Sequence, residues 1–516
     1  MMKKFLPAVF MFILAVSESS ALVRLPSIFG DNMVLQQNAI INLWGFASPL
    51  EHVLVQMNNQ TVECTTSPEG KWKVSFTPMK SGGPFEMIIK GENTIQLKNI
   101  LIGEVWLCSG QSNMDFPLKK TNDAEKKIGQ ADFSSIRIFI VKRKVALTPQ
   151  DDCEGEWLVC SPKTIGDFSG VGYYFGKNLH KELNVPIGLI QSTWGGAPAE
   201  AFMSIEVLES DPDFKPILER WEKQLEKYPD LLDEYNRNRE SLLQRWIIDS
   251  TTAVNKGMAP SRKPNKPEGP GSRNTPAGLY NGMLYPLVPL SLKGVIWYQG
   301  EANAGRAHQY RKLFPALIEN WRAIWNVGDF SFYFVQLPNL FRQPEPSKSG
   351  WAELREAQLL ALSVPNTGMA VTIDIGDPVN LHPTNKLDVG YRLSLIAVNN
   401  DYGKNDILFS GPIYQSHHKF ENKIFLNFKH TGKGLAAKNG NALKGFTIAS
   451  DDKKFITASA KIEGGQVIVW NDQIKNPVAV RYAWADNPDC NLYNSSNLPA
   501  SPFRTDDWKE VTFNKK

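Results

Sequence analysis

Three short segments of this chain combine residue types that could carry out acyl transfer. The segment 110–113 (Gly-Gln-Ser-Asn) places the hydroxyl of Ser112 directly after an apolar run. Residues 193–198 contain two adjacent glycines, and residues 299–303 contain two amides and a carboxylate. A serine where a strand turns into a helix can act as a nucleophile, because free backbone N–H groups there can stabilise an oxyanion. Ser112 is therefore the candidate nucleophile, although a Gly-x-Ser-x segment alone suits a helix cap equally well.

A serine nucleophile needs a base to take its proton, and His382 is the best candidate. It lies in the polar segment 377–383, which follows the last predicted buried strand. His308 follows Asn303 closely and is the alternative base. The other histidines lie in segments of β or helical pattern and show no ligand spacing typical of a metal site. Ester hydrolysis by a serine and a histidine needs no metal, so we expect no cofactor.

The elements that must position these residues follow an α/β pattern. Apolar runs with the length of buried strands cover residues 105–108, 186–191, 294–298, 332–337 and 368–373. Helical periodicity separates several of them, for example over residues 309–325. Strands that alternate with helices predict a parallel sheet. Since ligands bind beyond the carboxyl ends of such strands, we expect the three segments and His382 to face one crevice.

The rest of the chain predicts additional domains, because 516 residues exceed the usual size of one. An insertion within the α/β region has helical spacing on both sides of Pro229 and predicts a helical hairpin, followed by a Pro- and Gly-rich loop over residues 256–278. The predicted divisions are a signal peptide (1–21), a β-sandwich domain (22–102), an α/β domain (103–404) with a helical insertion at about 205–275, and a C-terminal β region (405–516).

Charge and cysteine content narrow the function classes. The net charge of +4 is spread along the chain, so nothing predicts a nucleic-acid partner. The charged start and short apolar run of residues 3–16 indicate a cleaved secretory signal, and no other stretch is long enough for a membrane span. We therefore expect a secreted or periplasmic protein. Cys153 and Cys160 are close enough in sequence to pair across a tight loop, whereas Cys108 is predicted to be a buried thiol.

Several of these segments also resemble a known family. The stretches that carry the resemblance are residues 25–36, 103–114, 194–202, 278–303 and 382–386. They are similar to bacterial sialate O-acetylesterases, a branch of the SGNH hydrolases. The resemblance implies a three-layer SGNH domain, with Ser112 as nucleophile, His382 as base, and an oxyanion hole formed by the N–H groups of Ser112 and Gly196. It also implies a third donor from segment 299–303, where Gln299 and Asn303 are the candidates.

One departure from the pattern leaves the third member of a catalytic triad open. Many SGNH enzymes carry an aspartate three residues before the histidine, and Val379 occupies that position here. Asp377 is slightly favoured over Glu301 as the acid that orients His382, and a Ser–His dyad is the third alternative. The implied substrate is an O-acetylated sialic acid, with acetylated xylan or another hemicellulose as the alternative. The β regions and 14 tryptophans also suit a non-catalytic carbohydrate-binding protein, the less favoured hypothesis.

Overall fold

The computed structural model describes residues 22–256, 260–261, 263–340, 348–440 and 442–516. The predicted signal peptide (1–21) lies outside the described residues. In the described part of the chain, no helix combines the length and the apolar character needed to cross a bilayer. The five cysteines are free thiols, so Cys153 and Cys160, although close enough in sequence to pair, do not form a disulfide. Both sulfurs are buried, and Cys160 ends a strand whose partner is not the Cys153 segment.

The first strands form a small β unit. They are β1 (Val34–Gln36), β2 (Ile41–Phe46), β3 (His52–Met57), β4 (Gln60–Thr65), β5 (Lys71–Phe76), β6 (Gly82–Lys90) and β7 (Thr94–Gly110). Strand β5 shows why they form: Trp72, Val74 and Phe76 are buried and alternate with exposed neighbours, which is the period of a half-buried strand. Strands β2 and β5 pair with each other, while β3 pairs with β4 and β6.

Strand β7 connects this unit to the central sheet without a break. Its first half, from Thr94 to Ile102, pairs with β6 of the N-terminal unit. Its second half, from Glu104 to Gly110, pairs in parallel with a strand of the central sheet. The predicted domain boundary at residue 103 therefore lies inside one 17-residue strand. This continuity places Ser112 two residues beyond a strand that is anchored in both units.

The middle of the chain alternates helices and strands. The elements are α1 (Ser112–Asp115), α2 (Ala124–Gly129), β8 (Phe133–Ile140), β9 (Trp157–Cys160), α3 (Gly170–Leu183), β10 (Ile187–Thr193), α4 (Ile205–Ser210), α5 (Lys215–Asn255), β11 (Gly294–Tyr298), α6 (Ala307–Trp325), β12 (Ser331–Val335), α7 (Gly350–Leu360), β13 (Thr367–Ala370) and α8 (Lys386–Tyr402). The central sheet has the order β13-β12-β11-β7-β10-β8-β9. All neighbours are parallel except β8 and β9. The predicted α/β fold with a parallel sheet is confirmed.

Helices cover both faces of this sheet, which gives three layers. Trp106 of β7 lies opposite Gly294 of β11, so Trp297, three residues further on, points to the other face. Trp106 packs against Phe175 of α3, and its indole N–H donates to Tyr402 of α8. Trp297 packs against Trp321 of α6. Each helix therefore buries its apolar side against one face of fully buried strands, as parallel sheets require.

The insertion forms one helix rather than the predicted hairpin. Helix α5 runs for 41 residues and contains Pro229 in its interior. Pro229 is exposed, so its missing N–H removes one backbone hydrogen bond on the solvent side without ending the helix. The following loop packs back along the helix, because the Trp246 indole N–H donates to the Ser261 carbonyl at 2.8 Å and Gln224 donates to the Glu268 carbonyl at 2.9 Å. The described part of that loop is therefore attached to α5.

The C-terminal region is β, as predicted, and has its own core around Leu426, Phe446 and Val480. Its strands are β14 (Ile413–Phe420), β15 (Lys423–Lys429), β16 (Leu435–Ala437), β17 (Phe446–Ala449), β18 (Ile456–Thr457), β19 (Ser459–Glu463), β20 (Gln466–Trp470), β21 (Ala479–Tyr482), β22 (Leu492–Asn494) and β23 (Phe503–Arg504). The fully buried Arg355 of α7 fixes the region in place by donating to the carbonyls of Ala485 and Asp486.

Candidate active site

The segments predicted to share one crevice are joined by backbone hydrogen bonds. The Gln111 N–H donates to the Tyr298 carbonyl at 3.0 Å, and the Trp194 N–H donates to the Gly110 carbonyl at 3.2 Å. The Ala302 N–H reaches the side-chain oxygen of Gln111 at 3.2 Å. The ends of β7, β10 and β11 therefore meet at the carboxyl edge of the sheet, as the parallel order of these strands requires.

Ser112 begins α1 at this edge and is partly exposed. The turn before it depends on Gly110, whose φ is +131°. A Cβ at that position would lie 2.3 Å from the Tyr298 carbonyl oxygen, so only glycine allows this approach. A Cβ at Gly195 would lie 3.4 Å from the Ser112 Cβ. The glycine turn after β10 therefore contacts the candidate nucleophile directly.

The end of α1 is held by Asp115. Its carboxylate accepts from the Thr193 hydroxyl at 2.6 Å and from Arg143 Nη2 at 2.5 Å. The side chain of Gln191 also donates to it at 3.2 Å. Because Gln191 and Thr193 belong to β10, these bonds fix the four-residue helix of Ser112 against the neighbouring strand.

Asn113, the residue after Ser112, connects the serine turn to two other segments. Its Nδ2 donates to Glu301 Oε1 at 2.6 Å and to the Leu381 carbonyl at 3.0 Å. Its Oδ1 accepts from Lys386 Nζ at 2.6 Å. Burial raises the pKa of Glu301, and burial lowers the pKa of Lys386 to about 7 while the Glu301 carboxylate opposes that decrease. One buried amide thus bridges an acid and an amine and binds the residue that precedes His382.

His382 is half-buried beside this network. Its ring stacks on Phe116, with 6.3 Å between the ring centroids. Its Nε2 is buried and has no hydrogen-bond partner among the residues that the structure describes. Burial lowers the pKa of His382, and the positive charges of Lys386 and Lys120 lower it further. Both effects favour the neutral imidazole, which is the form that can accept a proton.

The candidate acids have partners of their own. Asp377 Oδ1 accepts from the backbone N–H groups of Val379 at 2.9 Å and Asn380 at 3.2 Å, so it caps its own turn. Glu301 binds Asn113 through Oε1, and its Oε2 is buried with no hydrogen-bond partner in the described part of the chain. Neither acid is among the charges that shift the pKa of His382.

The two candidates for a third oxyanion donor differ in how many side-chain amide hydrogens are already used in hydrogen bonds. Gln299 Nε2 donates to the Ala197 carbonyl at 3.3 Å and to Asn303 Oδ1 at 2.7 Å, which uses both of its hydrogens. Asn303 Nδ2 donates to Glu200 Oε2 at 2.8 Å, which uses one hydrogen. Asn303 Oδ1 also accepts from the Ala199 N–H, so both amides lie behind the glycine turn.

The remaining sequence candidates, Gly196 and His308, line two different cavities. Gly196 has a φ of +78° and lines a cavity of ≈ 340 Å³ together with residues of α5. His308, the alternative base, packs on Phe513 with 4.6 Å between centroids and lines a different cavity at the C-terminus.

Sequence reasoning missed three residues at the site: Asn113, Lys386 and Arg220. Asn113 and Lys386 lie inside the stretches that carry the family resemblance, so the resemblance was a signal that could have identified both residues. Arg220 lies on α5, far from any motif, and lines the same cavity as Gly196. No pattern in the sequence indicates that contact.

Comparison with known proteins finds carbohydrate acetylesterases whose similarity extends over nearly the whole chain. A sequence model of the family described as carbohydrate esterase, sialic acid-specific acetylesterase, matches residues 278–395. Sialate O-acetylesterase of Mus musculus is 30% identical and covers 96% of this chain and 96% of its own length. The Homo sapiens enzyme is 30% identical and covers 93% and 92%. The crystal structure of a carbohydrate acetylesterase from Xanthomonas citri has a TM-score of 0.80 at 35% identity, over 94% of this chain and 100% of that one.

The fold, the serine turn at the edge of its parallel sheet and these similarities define the protein as a carbohydrate esterase. Within that class, the chain belongs to the sialate O-acetylesterase family, because its identity to those enzymes extends over almost the full length of both proteins. The hypothesis of a non-catalytic carbohydrate-binding protein is thereby set aside.

Proposed function

We propose that this protein is a secreted bacterial serine esterase of the SGNH type that hydrolyses O-acetyl esters of sialic acids. The bond from Asn113 Nδ2 to the Leu381 carbonyl, at 3.0 Å, carries the proposal. It joins the residue after Ser112 to the residue before His382. The nucleophile and the base thus come from segments that share a hydrogen bond, although they are 270 positions apart in the chain.

The reaction begins when His382 Nε2 takes the proton of the Ser112 hydroxyl as its oxygen attacks the acetyl carbonyl carbon. The carbonyl oxygen becomes an oxyanion, which the N–H groups of Ser112 and Gly196 stabilise. Asn303 serves as the third donor in preference to Gln299, since one of its amide hydrogens is still free. His382 then gives the proton to the departing sugar oxygen, and the acetyl group stays on Ser112.

Water completes the cycle on the acetyl-enzyme. His382 removes a proton from the water as its oxygen attacks the acetyl carbon, and the same oxyanion donors stabilise the second tetrahedral intermediate. The intermediate collapses to acetic acid as His382 returns its proton to the Ser112 oxygen, and the acid then releases its own proton to solvent as acetate forms. Asp377 Oδ1 caps its own turn, and Glu301 Oε1 binds Asn113. We therefore assign the site a Ser–His dyad in which the segment 381–386 positions the imidazole.

Localisation follows from the N-terminal residues. The lysines at positions 3 and 4, the short apolar run and the small residues before Ala21 support export of the mature chain to the periplasm or the medium. N-terminal sequencing of the protein recovered from the periplasm of an expressing bacterium tests this. A mature chain that begins near residue 22 is expected, and full-length protein in the cytoplasm would contradict it.

The activity is tested by measuring acetate release from 9-O-acetyl-N-acetylneuraminic acid and from acetylated xylan. We expect the sialic acid ester to be the better substrate, and Ser112→Ala to lose activity by a factor of about 10⁴ or more. Labelling of Ser112 by a serine-directed organophosphate, located by mass spectrometry, gives an independent readout. Full activity in Ser112→Ala would exclude the mechanism, while a clear preference for xylan would change the substrate but not the chemistry.

A further inference from the structure

A cavity of ≈ 340 Å³ lies next to the serine turn and contains charged side chains that the hydrolysis does not use. Gly196 and Ala302 line it on the side of the catalytic segments, and Trp221 and Gln224 of α5 line the opposite side. Gly195 is in contact range of Ser112, and the next residue already lines the cavity. A sugar whose acetyl group reaches Ser112 would therefore extend toward this space.

Two arginines, Arg220 and Arg306, line the cavity, and a third, Arg273, lies beside the lining residue Gly196. Arg306 Nη2 donates to Glu200 Oε1 at 2.7 Å, and Arg220 Nη2 lies 4.0 Å from the same oxygen. Glu200 itself is buried, and its other oxygen accepts from Asn303 at 2.8 Å. Arg306 keeps the pKa of Glu200 below its usual value despite burial, so this carboxylate stays charged and holds two arginines in place.

Two of the guanidinium groups retain buried nitrogens without partners. Arg220 Nη1 and Arg273 Nε are both buried, and neither donates a hydrogen bond to an acceptor among the described residues. Leaving such a donor unsatisfied costs about 1–3 kcal/mol and more for a charged group. Arg273 Nε lies 3.1 Å from the position of a Cβ on Gly196, which places it beside the glycine turn.

The charges of the cavity do not cancel. Arg220, Arg273 and Arg306 contribute three positive charges, while Glu200 and Glu268 contribute two negative ones. Glu268 is only loosely associated with Arg273 at 3.6 Å, and it also accepts from the Ser272 hydroxyl. One positive charge and two unused donors therefore remain available to a ligand.

We propose that this cavity binds the carboxylate of an anionic sugar, with Arg220 Nη1 and Arg273 Nε as its donors. This deepens the proposed function, on which it rests, because it names the group that distinguishes an acidic sugar from a neutral one. A carboxylate has two acceptor oxygens and bonds strongly to guanidinium groups. Sialic acids and uronic acids both present such a group, and a neutral xylan does not.

The proposal is tested with matched pairs of acetylated sugars. The first pair is 9-O-acetyl-N-acetylneuraminic acid and its carboxamide, and the second is an O-acetylated galacturonic acid and its carboxamide. Acetate release gives kcat/KM for each. For at least one pair we expect the free acid to be preferred by about 10- to 100-fold, the size expected for hydrogen bonds to a charged group. Equal rates within both pairs would overturn the proposal.

Substitutions then test whether Arg220 and Arg273 cause the preference for the free acid over its carboxamide. In Arg220→Met and in Arg273→Met, the preference for acid over carboxamide should fall to within about threefold of unity. Arg220→Lys should retain part of it, since it keeps the charge but not the planar fork. Arg245→Met is the matched control, because Arg245 is on the same helix, its side chain is 85% exposed, and it pairs with Asp249 at 3.9 Å. A preference that persists in both cavity variants would contradict the assignment.

Calorimetric binding to the Ser112→Ala protein separates this inference from the proposed function. N-acetylneuraminate and galacturonate are titrated against their carboxamides, with no turnover required. Binding of an acid that is weakened in Arg220→Met supports the carboxylate site even if no sialic acid ester is hydrolysed. Hydrolysis of the sialic acid ester, with no difference between acid and carboxamide in either pair, keeps the proposed function and removes the carboxylate site.

Discussion

Asn113 Nδ2 donates to Glu301 Oε1 at 2.6 Å, which joins the end of β7 to the end of β11 directly beside Ser112. The same amide also binds Lys386 and the Leu381 carbonyl, so four segments of the chain meet at one side chain. Loss of this amide leaves a buried carboxyl and a buried amine without their shared partner. Burying such groups without hydrogen bonds lowers the free energy of unfolding.

We therefore expect Asn113→Ala to lower the free energy of unfolding by about 2–4 kcal/mol and to reduce kcat, because the serine turn loses its bond to the histidine segment. Urea denaturation and acetate release measure the two effects. Asn238→Ala, on the exposed side of α5, is the control and should change stability by less than about 0.5 kcal/mol. Equal stability of the two variants would show that Asn113 does not support the site.

Asp377→Asn distinguishes a dyad from a triad. The variant keeps Oδ1 as the acceptor for the N–H groups of Val379 and Asn380, so the turn should persist. In a dyad kcat should fall less than about tenfold, whereas removal of a true triad acid costs about 10⁴-fold. Steady-state kinetics on an acetyl ester decide the question. A decrease in kcat of about 10⁴-fold would identify Asp377 as the acid that orients His382.

The pH profile should reflect the charges around His382. The base must be neutral, so activity rises with pH through its pKa, and a lowered pKa extends activity to more acidic pH. Removing the positive charge in Lys120→Gln favours the imidazolium and raises that pKa. The acidic limb of kcat/KM should then move to higher pH, and by less at high salt.

Lys119→Gln is the control for this profile, since the Lys119 ammonium is paired with Asp167 at 2.5 Å and its loss changes the local field less. Both variants are compared over the same buffers at low and high ionic strength. An acidic limb that stays in place in Lys120→Gln, or moves to lower pH, would mean that His382 is not the base.

Gly110→Ala tests the serine turn itself. The φ of +131° and the 2.3 Å approach to the Tyr298 carbonyl leave no room for a methyl group. We expect about 3 kcal/mol or more of destabilisation, or failure to fold, as measured by thermal denaturation and soluble yield. Gly129→Ala in α2 has nothing within 4 Å of the new Cβ and should be neutral or slightly stabilising. Equal thermal stability and yield of Gly110→Ala and Gly129→Ala would contradict the expectation that the serine turn requires glycine at position 110.

Local patterns predicted much of the fold. Strand β11 has the predicted bounds, and α6 agrees with the predicted helix over residues 309–325 to within about two residues. Buried apolar runs and helical periodicity are properties of short segments, so they can be read without knowledge of the neighbours. The helix through Pro229 was mispredicted because a proline usually ends a helix, and only the contacts of α5 show that this one continues.

The sequence by itself determined the candidate chemistry: a serine after a strand, a glycine turn, and a histidine in a polar loop. It did so because these residue types occur in short segments at the ends of predictable strands. Only the tertiary structure decided that Asn113 connects the serine and histidine segments, that Gln299 has no free amide hydrogen, and that Arg220 reaches the cavity beside Gly196. Those relationships depend on distances between residues far apart in the chain, and such distances are set by how the sheet and α5 pack.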